Sequence, residues 1–382
     1  MERVELTADT VGPIARGHPW VYADGVKARP AVGALVQLVD GAGKPVGFGL
    51  GDAGDVAVRV LGRHPEALPR LLERRVAEAV AWRARCLPDG TTAFRLINGA
   101  GDGLPELVVD RYGPVLVLRV YSAAWVPHLD AVAAALRAGV PGAETLLRRN
   151  GVRAVDGESG AVRLWGPPAP EPLVVTEAGL RFLVRPVEGQ KTGLFLDQRE
   201  NRRFVAGLAA GLDVVNLFAY SGGFSVHAAA AGARRVWSVD IAPASLEDAR
   251  ENFRLNGLDP SRHVFEAADA FTWAPESPPG VLVCDPPSLS HGRGADGAAA
   301  KAYRDLAARV GAQVPLGGVL ATASCTARLN TERWEAAVKD GLRKAGRWAA
   351  VGRAAEPADH PVLLEHPEAR YLKFLALRRR AA

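Results

Sequence analysis

The C-terminal half of the chain predicts an α/β fold: a parallel sheet with helices on both faces, behind a small β-barrel and an α+β stretch. Three observations carry this. Strand and helix patterns alternate beyond residue 210, a glycine turn joins the first of those strands to a helix, and the first 65 residues are short β runs broken by glycines. At 382 residues the chain exceeds one typical single-core domain, so two or three are expected.

In chain order, Ala34-Leu35-Val36-Gln37-Leu38-Val39, the Asp40-Gly41-Ala42-Gly43 turn and Val56-Ala57-Val58-Arg59-Val60-Leu61 read as barrel strands. From Pro69 to Cys86 the period turns helical, with Leu71, Leu72, Val76, Val80 and Trp82 among Arg and Glu. Strand runs follow at 94–97, 107–109 and 115–120, then a helical stretch at 124–138 and two more strand-like runs. The segment Gly166-Pro167-Pro168-Ala169-Pro170 breaks regular structure and marks a boundary. Beyond it, strands are predicted at 213–218, 235–239, 263–267, 281–284 and 318–323. Helices are predicted at 223–231, 244–256 and 300–313.

Composition excludes several classes. Apolar residues make up 48% and charged residues 23%, so the chain is neither disordered nor fibrous. No run approaches the roughly 20 apolar residues of a membrane helix. The start, Met1-Glu2-Arg3-Val4-Glu5, offers no secretory apolar core. Three scattered cysteines, Cys86, Cys284 and Cys325, make no disulfide framework, and no CxxC or HxxxH spacing predicts a metal. A reducing, cytoplasmic setting is expected, with no membrane partner. The net charge is +5, and of 47 basic residues seven are lysines, leaving 40 arginines. Arginine forks suit a polyanionic partner such as a nucleic acid, although solvated arginine surface gives the same count.

The run Asp213-Val214-Val215-Asn216-Leu217-Phe218-Ala219-Tyr220-Ser221-Gly222-Gly223-Phe224 is a strand entering a glycine turn that opens a helix. Arg235 to Val239 then forms a second strand ending in Asp240. This is a nucleotide-binding βαβ arrangement, in which an acidic residue ending the second strand accepts from ribose hydroxyls. The spaced GxGxxG triplet that cradles a pyrophosphate is missing, so a phosphate-free cofactor such as S-adenosylmethionine (SAM) fits better, with S-adenosylhomocysteine as product. The candidate contacts are Phe218, Ala219, Tyr220, Ser221, Gly222 and Gly223 in the turn, Asp240 with Ile241, and Asp269 with Ala270 after the third strand.

The fourth strand ends in Asp285-Pro286-Pro287-Ser288, at the sheet edge where α/β enzymes place their chemistry. Asp-Pro-Pro at that position suits holding the polar edge of a planar base. The fifth strand ends in Ser324-Cys325-Thr326, and as its neighbour should open into the same crevice. A thiolate adding at carbon-6 of a cytosine would make carbon-5 nucleophilic, which is covalent catalysis by cysteine. Against this stands the commoner fate of a lone cysteine, a small buried apolar residue. Cys284 alternates away from Asp285 and is read as structural, as is Cys86. Asp285 and a water are candidates for the base that removes the carbon-5 proton.

With these residues the sequence resembles the bacterial large-subunit ribosomal RNA methyltransferase family that makes 5-methylcytosine in 23S RNA. The resemblance runs through Gly17-His18-Pro19-Trp20-Val21-Tyr22, Arg95 to Pro105, Asp110-Arg111-Tyr112, Gly189 to Arg199, the cofactor and Asp-Pro-Pro segments, Ser324-Cys325, Ala358 to Val362 and Tyr371-Leu372-Lys373. It implies a PUA-type RNA-binding domain at 1–67, a central EEHEE (strand–strand–helix–strand–strand) domain at 68–180 with a leading helix, and a class I Rossmann-like methyltransferase domain at 181–382. It assigns Cys325 as nucleophile and Asp285 to the catalytic pocket, also bordering the cofactor. Phe218, Gly222, Asp240 and Asp269 fall on SAM-contacting positions, with Lys191 and Gln198 as weaker candidates. Large-subunit ribosomal RNA is the implied partner, and a homodimer is compatible with the resemblance. Leu289 stands where the family has an aromatic, which weakens base stacking there, and Thr326 stands where it tends to serine. Two alternatives remain open: a guanine (N7 or N2) methyltransferase on the same scaffold, and a SAM-binding RNA-binding protein without catalysis. His18-Pro19-Trp20, His360, Arg148-Arg149 and Arg378-Arg379-Arg380 could be RNA or pocket contacts, but Trp20 is read rather as core and His360 as a hydrogen-bonded hairpin residue, and the arginines also fit a solvated face and a frayed tail.

Overall fold

The computed structural model describes residues 1–150, 160–187, 194–289 and 296–381. The chain divides into two compact units. The first is built mainly on Met1–Val175 with Ala358–Ala369, the second on the described residues of 194–357 and 370–381 with Thr176–Leu183.

In the first unit, five strands pair in the order Glu2–Glu5, Leu35–Val39, Pro45–Gly51, Val56–Gly62 and Trp20–Tyr22. Their alternating apolar residues (Val4, Val36, Leu38, Val58) close a core with less than one tenth of each side chain exposed. A helix, Ala8–Arg16, lies where β structure alone was expected. Gly12 and Pro13 weaken its propensity, so tertiary packing decides it: Ile14 enters the barrel core, and Gly17 ends the helix at φ 116°.

Next come the helix Leu68–Cys86, the strands Ala93–Asn98, Leu107–Tyr112 and Val115–Val120, the helix Leu129–Gly139, and the strands Thr145–Asn150 and Ala161–Trp165. These strands form one five-stranded sheet in which Val115–Val120 and Thr145–Asn150 run parallel across the helical crossover. The resemblance implied two strands before the helix; there are three, because Ala93–Asn98 adds antiparallel to Leu107–Tyr112 at the edge. Phe48, Leu50 and Leu61 of the first sheet share a core with Leu71, Leu72, Val76 and Trp125, so the two sheets pack as one unit.

The Ala358–Ala369 segment packs into this unit. Asp359 accepts the Arg95 N–H at 3.1 Å, and its carbonyl accepts from Arg83 at 2.7 Å. His360 is buried beside the Asp359 carboxylate.

The second unit is a seven-stranded sheet. Numbering its strands in chain order, β1 is Asp213–Leu217, β2 Arg235–Asp240, β3 Val264–Ala267, β4 Val281–Cys284, β5 Val319–Ser324, β6 Arg347–Ala354 and β7 Lys373–Arg380. The order is β3-β2-β1-β4-β5-β7-β6, parallel from β3 to β5, with β7 antiparallel to both of its neighbours. β4 is a buried apolar run and β1 is buried from Val214 to Leu217, as a sheet covered on both faces requires. The helices are α1 (Arg199–Ala206), α2 (Gly223–Ala230), α3 (Pro243–Leu255), α4 (Asp296–Gln313) and α5 (Thr331–Leu342). The order reverses beside β1, and that switch point puts the β1 and β4 ends at the edge where ligands bind. Arg378, Arg379 and Arg380 lie in β7 rather than in a frayed tail, because paired strands on both sides hold the segment.

Candidate active site

The turn after β1 is built from left-handed residues: φ is 58° at Phe218, 50° at Tyr220 and 78° at Gly222. Two non-glycine residues in that region are strained unless neighbours hold them. Here the Asp240 carboxylate holds the turn. One oxygen accepts the Tyr220 N–H at 2.8 Å and the other accepts the Ala242 N–H at 2.9 Å. The Ala219 N–H bonds the Val239 carbonyl at 3.0 Å, and Asn252 donates to the Ser221 carbonyl at 2.8 Å. Only glycine fits at 222, where an added Cβ would stand 2.9 Å from the Ala249 Cβ. An added Cβ at Gly223 would meet Arg202 at 3.0 Å.

Arg202 belongs to a buried triad beneath this turn. Glu177 accepts from Arg202 at 2.5 and 2.7 Å and pairs with His227 of α2 at 3.0 Å. Burial pushes the Glu177 carboxyl up, but Arg202 and His227 outweigh it and hold it at about 2.

Asp240 therefore does structural work, and each oxygen keeps a second lone pair for a ligand hydroxyl. Beside it Ile241 is 75% exposed. At the end of β3, Asp269 accepts the Phe271 N–H at 2.9 Å, Ala270 is buried, and Phe271 is 41% exposed with its ring 5.0 Å from that of Phe218. Carboxylates alternating with exposed apolar side chains, on a turn without Lys or Arg, suit an adenine nucleoside without phosphates. These residues fit SAM. Phe271 was missed in the sequence, where a lone Phe after Asp-Ala gives no signal.

β4 and β5 pair in parallel with Cys284 opposite Thr322, so Asp285 and Cys325 leave the sheet at one edge. Gln198, offered as a cofactor contact, donates to Asp285 at 3.0 Å and accepts from Asn201 at 2.6 Å. Lys191 lies outside the described residues. Cys325 is half-buried. Cys284 is 1% exposed, and burial, then the Asp285 charge, drive its thiol well above the ordinary range, as befits a packing residue.

Two further residues stand at Cys325: Tyr303, which sequence reading did not single out, and Lys373, which lay in the resembling Tyr371-Leu372-Lys373 run with no role assigned. Tyr303 of α4 pairs with Ser324 at 2.9 Å and with the Leu289 backbone, and feels both the Cys325 and the Asp285 charge; burial pushes its hydroxyl up to about 12. Lys373 at the start of β7 donates to the carbonyls of Thr326 and, at 2.9 Å, Tyr371. Only the three-dimensional pairing of helix and strands brings them to Cys325. In the first unit, Trp20 is half-buried with its ring 4.1 Å from His366, and Arg148 is buried. Cys86 is half-buried at the end of its helix.

Residues 149–374, more than half of the chain, match the family model described as S-adenosylmethionine-dependent methyltransferase. The chain belongs to the S-adenosylmethionine-dependent methyltransferase family. Residues 4–63 match a PUA-like domain. The fold is therefore α/β with an N-terminal PUA-like and a C-terminal methyltransferase domain, and the cofactor of the family is SAM. Among relatives of this methyltransferase, "Ribosomal RNA large subunit methyltransferase" of Deinococcus radiodurans is 37% identical over 95% of this chain and 94% of its own length. "Ribosomal RNA large subunit methyltransferase I" of Shewanella amazonensis is 32% identical over 98% and 99%. A structure from Streptococcus mutans described as a SAM-dependent methyltransferase aligns over 99% of this chain and all of its own, with TM-score 0.86 and 23% identity. A methyltransferase solved in complex with SAH reaches TM-score 0.87 at 23% identity, over 99% and 100%. At that identity the likeness establishes the fold. No helix among the described residues is long and apolar enough to cross a membrane.

Proposed function

We propose that this methyltransferase acts on large-subunit ribosomal RNA, at carbon-5 of a cytosine, through a covalent Cys325 adduct. The single observation that carries the reading is a half-buried cysteine at the end of β5, beside the strand that delivers Asp285. The relatives' names supply the RNA class. Residues 1–67 would hold RNA, 68–180 form the central domain and 181–382 carry catalysis.

Phe218 to Gly223, Asp240, Ile241, Asp269 and Ala270 would hold the cofactor. Bound there, SAM supplies an electrophilic, sulfonium-activated methyl group. Asp285, oriented by Gln198, holds the polar edge of the base. The Cys325 thiolate would add to carbon-6 and place the carbon-5–carbon-6 π pair on carbon-5, which would take the methyl group as its bond to the sulfonium sulfur breaks, leaving S-adenosylhomocysteine. Loss of the carbon-5 proton re-forms the double bond as the carbon–sulfur bond breaks, returning the thiolate. Asp285 and a water are the two candidates for the base that takes that proton.

The test is methyl transfer from labelled SAM to unmodified large-subunit RNA, with nucleosides identified by mass. Wild type should give 5-methylcytidine, and Cys325→Ala none while still binding SAH. Methylguanosine, or an unimpaired Cys325→Ala enzyme, would overturn the cytosine assignment. SAH binding without transfer to any nucleoside would mark a non-catalytic RNA-binding protein.

A further inference from the structure

The turn that carries Cys325 is clamped from two directions. Tyr303 of α4 bonds Ser324, the residue before it, at 2.9 Å. From the other side comes Lys373, which opens β7 directly opposite Ser324 in the β5–β7 register. Lys373 is 3% exposed, and its ammonium donates to the carbonyl of Thr326, the residue after Cys325, and to the Tyr371 carbonyl at 2.9 Å. An ammonium has three donors, so one N–H remains beyond these two carbonyls.

Among the described residues, Tyr303 from α4 and Lys373 from β7 both feel the Cys325 charge. Asp285, at the end of β4, acts on Tyr303, and Glu356, between β6 and β7, acts on Lys373. Lys373 is the cation among these four. Glu356 accepts the Tyr371 and Leu372 N–H groups at 2.6 and 2.9 Å, which fixes it against the same strand start.

We propose that Lys373 is a positioning residue for the Cys325 nucleophile: its buried ammonium fixes the 324–326 turn and stabilises the thiolate form of Cys325. The inference deepens the cysteine mechanism above and rests on it for its catalytic meaning. A neutral side chain could fill the same space, but it could not supply charge to an anion forming one residue away. Burial pulls the Lys373 amine down, while Glu356 and a Cys325 charge push it back up. Thiolate and ammonium thus favour each other, and a cysteine attacks only as its thiolate.

The experiment is alkylation of the full-length protein with iodoacetamide over a pH series, read at the Cys325 peptide by mass. It needs neither SAM nor RNA. In Lys373→Met the midpoint of Cys325 alkylation should rise by about one pH unit, roughly a tenfold slower reaction at neutral pH. Lys373→Arg should keep the midpoint near that of wild type. Glu356→Gln retains the acceptor for the Tyr371 and Leu372 N–H groups but leaves the ammonium uncompensated, so its midpoint should fall. A folded Lys373→Met protein with an unmoved midpoint overturns the proposal, whatever its methylation activity. Should melting curves show that Lys373→Met does not fold, Glu356→Gln decides: a lowered midpoint supports the proposal and an unmoved one sinks it. A failure of the cytosine mechanism is registered separately, by the nucleoside products of Cys325→Ala.

Discussion

Gly222 and Gln198 show how single residues set this site. Gly222 combines φ 78° with a Cβ position 2.9 Å from Ala249, so Gly222→Ala is penalised twice, by backbone strain and by collision with α3. We expect a loss of about 2 kcal/mol in urea unfolding and weakened SAH binding by calorimetry. Gln198 is buried and links Asp285 to Asn201. Gln198→Leu keeps the volume but removes the donor that orients the carboxylate. Turnover should fall about tenfold or more, equivalent to roughly 1.4 kcal/mol of transition-state stabilisation, with SAH affinity nearly unchanged. Equal losses in both measurements would place Gln198 in the cofactor site instead.

At the scale of elements, the Glu177–Arg202–His227 triad joins the end of the strand Leu173–Glu177 to α1 and α2. Removing one partner of a buried charged group leaves the others uncompensated, so Glu177→Gln should cost about 3 kcal/mol. The pH dependence has a definite sign. Glu177 sits at about 2 when folded against an ordinary 4.5, so its stabilisation is present above 4.5 and is lost as pH falls toward 2. Burial lowers His227 despite the nearby Glu177, so its share is present above 6.5 and is lost as pH falls from 6.5 toward its lowered folded value. Urea midpoints should therefore decline on the acid side in wild type, and the decline below 4.5 should flatten in Glu177→Gln.

For the whole molecule, the chain returns after β6 to complete the first unit before β7 enters the seven-stranded sheet between β5 and β6. Contacts between residues some 260 apart in sequence hold the Ala358–Ala369 segment there: Arg95 with Asp359, Asn98 with Pro361 and Gly101 against Pro361. At Gly101 an added Cβ would stand 1.8 Å from the Pro361 carbonyl oxygen. Gly101→Ala should therefore displace the segment, lower the thermal midpoint by several degrees and open 358–369 to limited proteolysis. Unchanged cleavage and melting would mean that the segment is held by other contacts.

The sequence by itself determined the α/β class, the edges of β1 to β5 to within about two residues, and the candidate residues at the ends of β1, β2, β4 and β5; β6 and β7 were not read from it. Alternating and continuous apolar runs, glycine turns and Asp-Pro-Pro are local patterns, and local patterns are what a sequence displays. Asp240 was legible as the end of β2, but not as the group that holds Tyr220 in a left-handed turn. The helix Ala8–Arg16 was hidden because its stability comes from Ile14 in the barrel core and not from propensity. Lys373, Tyr303 and Phe271 carry no local mark of their place. The tertiary structure alone decided that Lys373 and Tyr303 meet at Cys325. The physical reason is that β5 and β7 pair across 48 intervening residues and α4 packs over their ends, and no spacing rule in the sequence encodes that pairing.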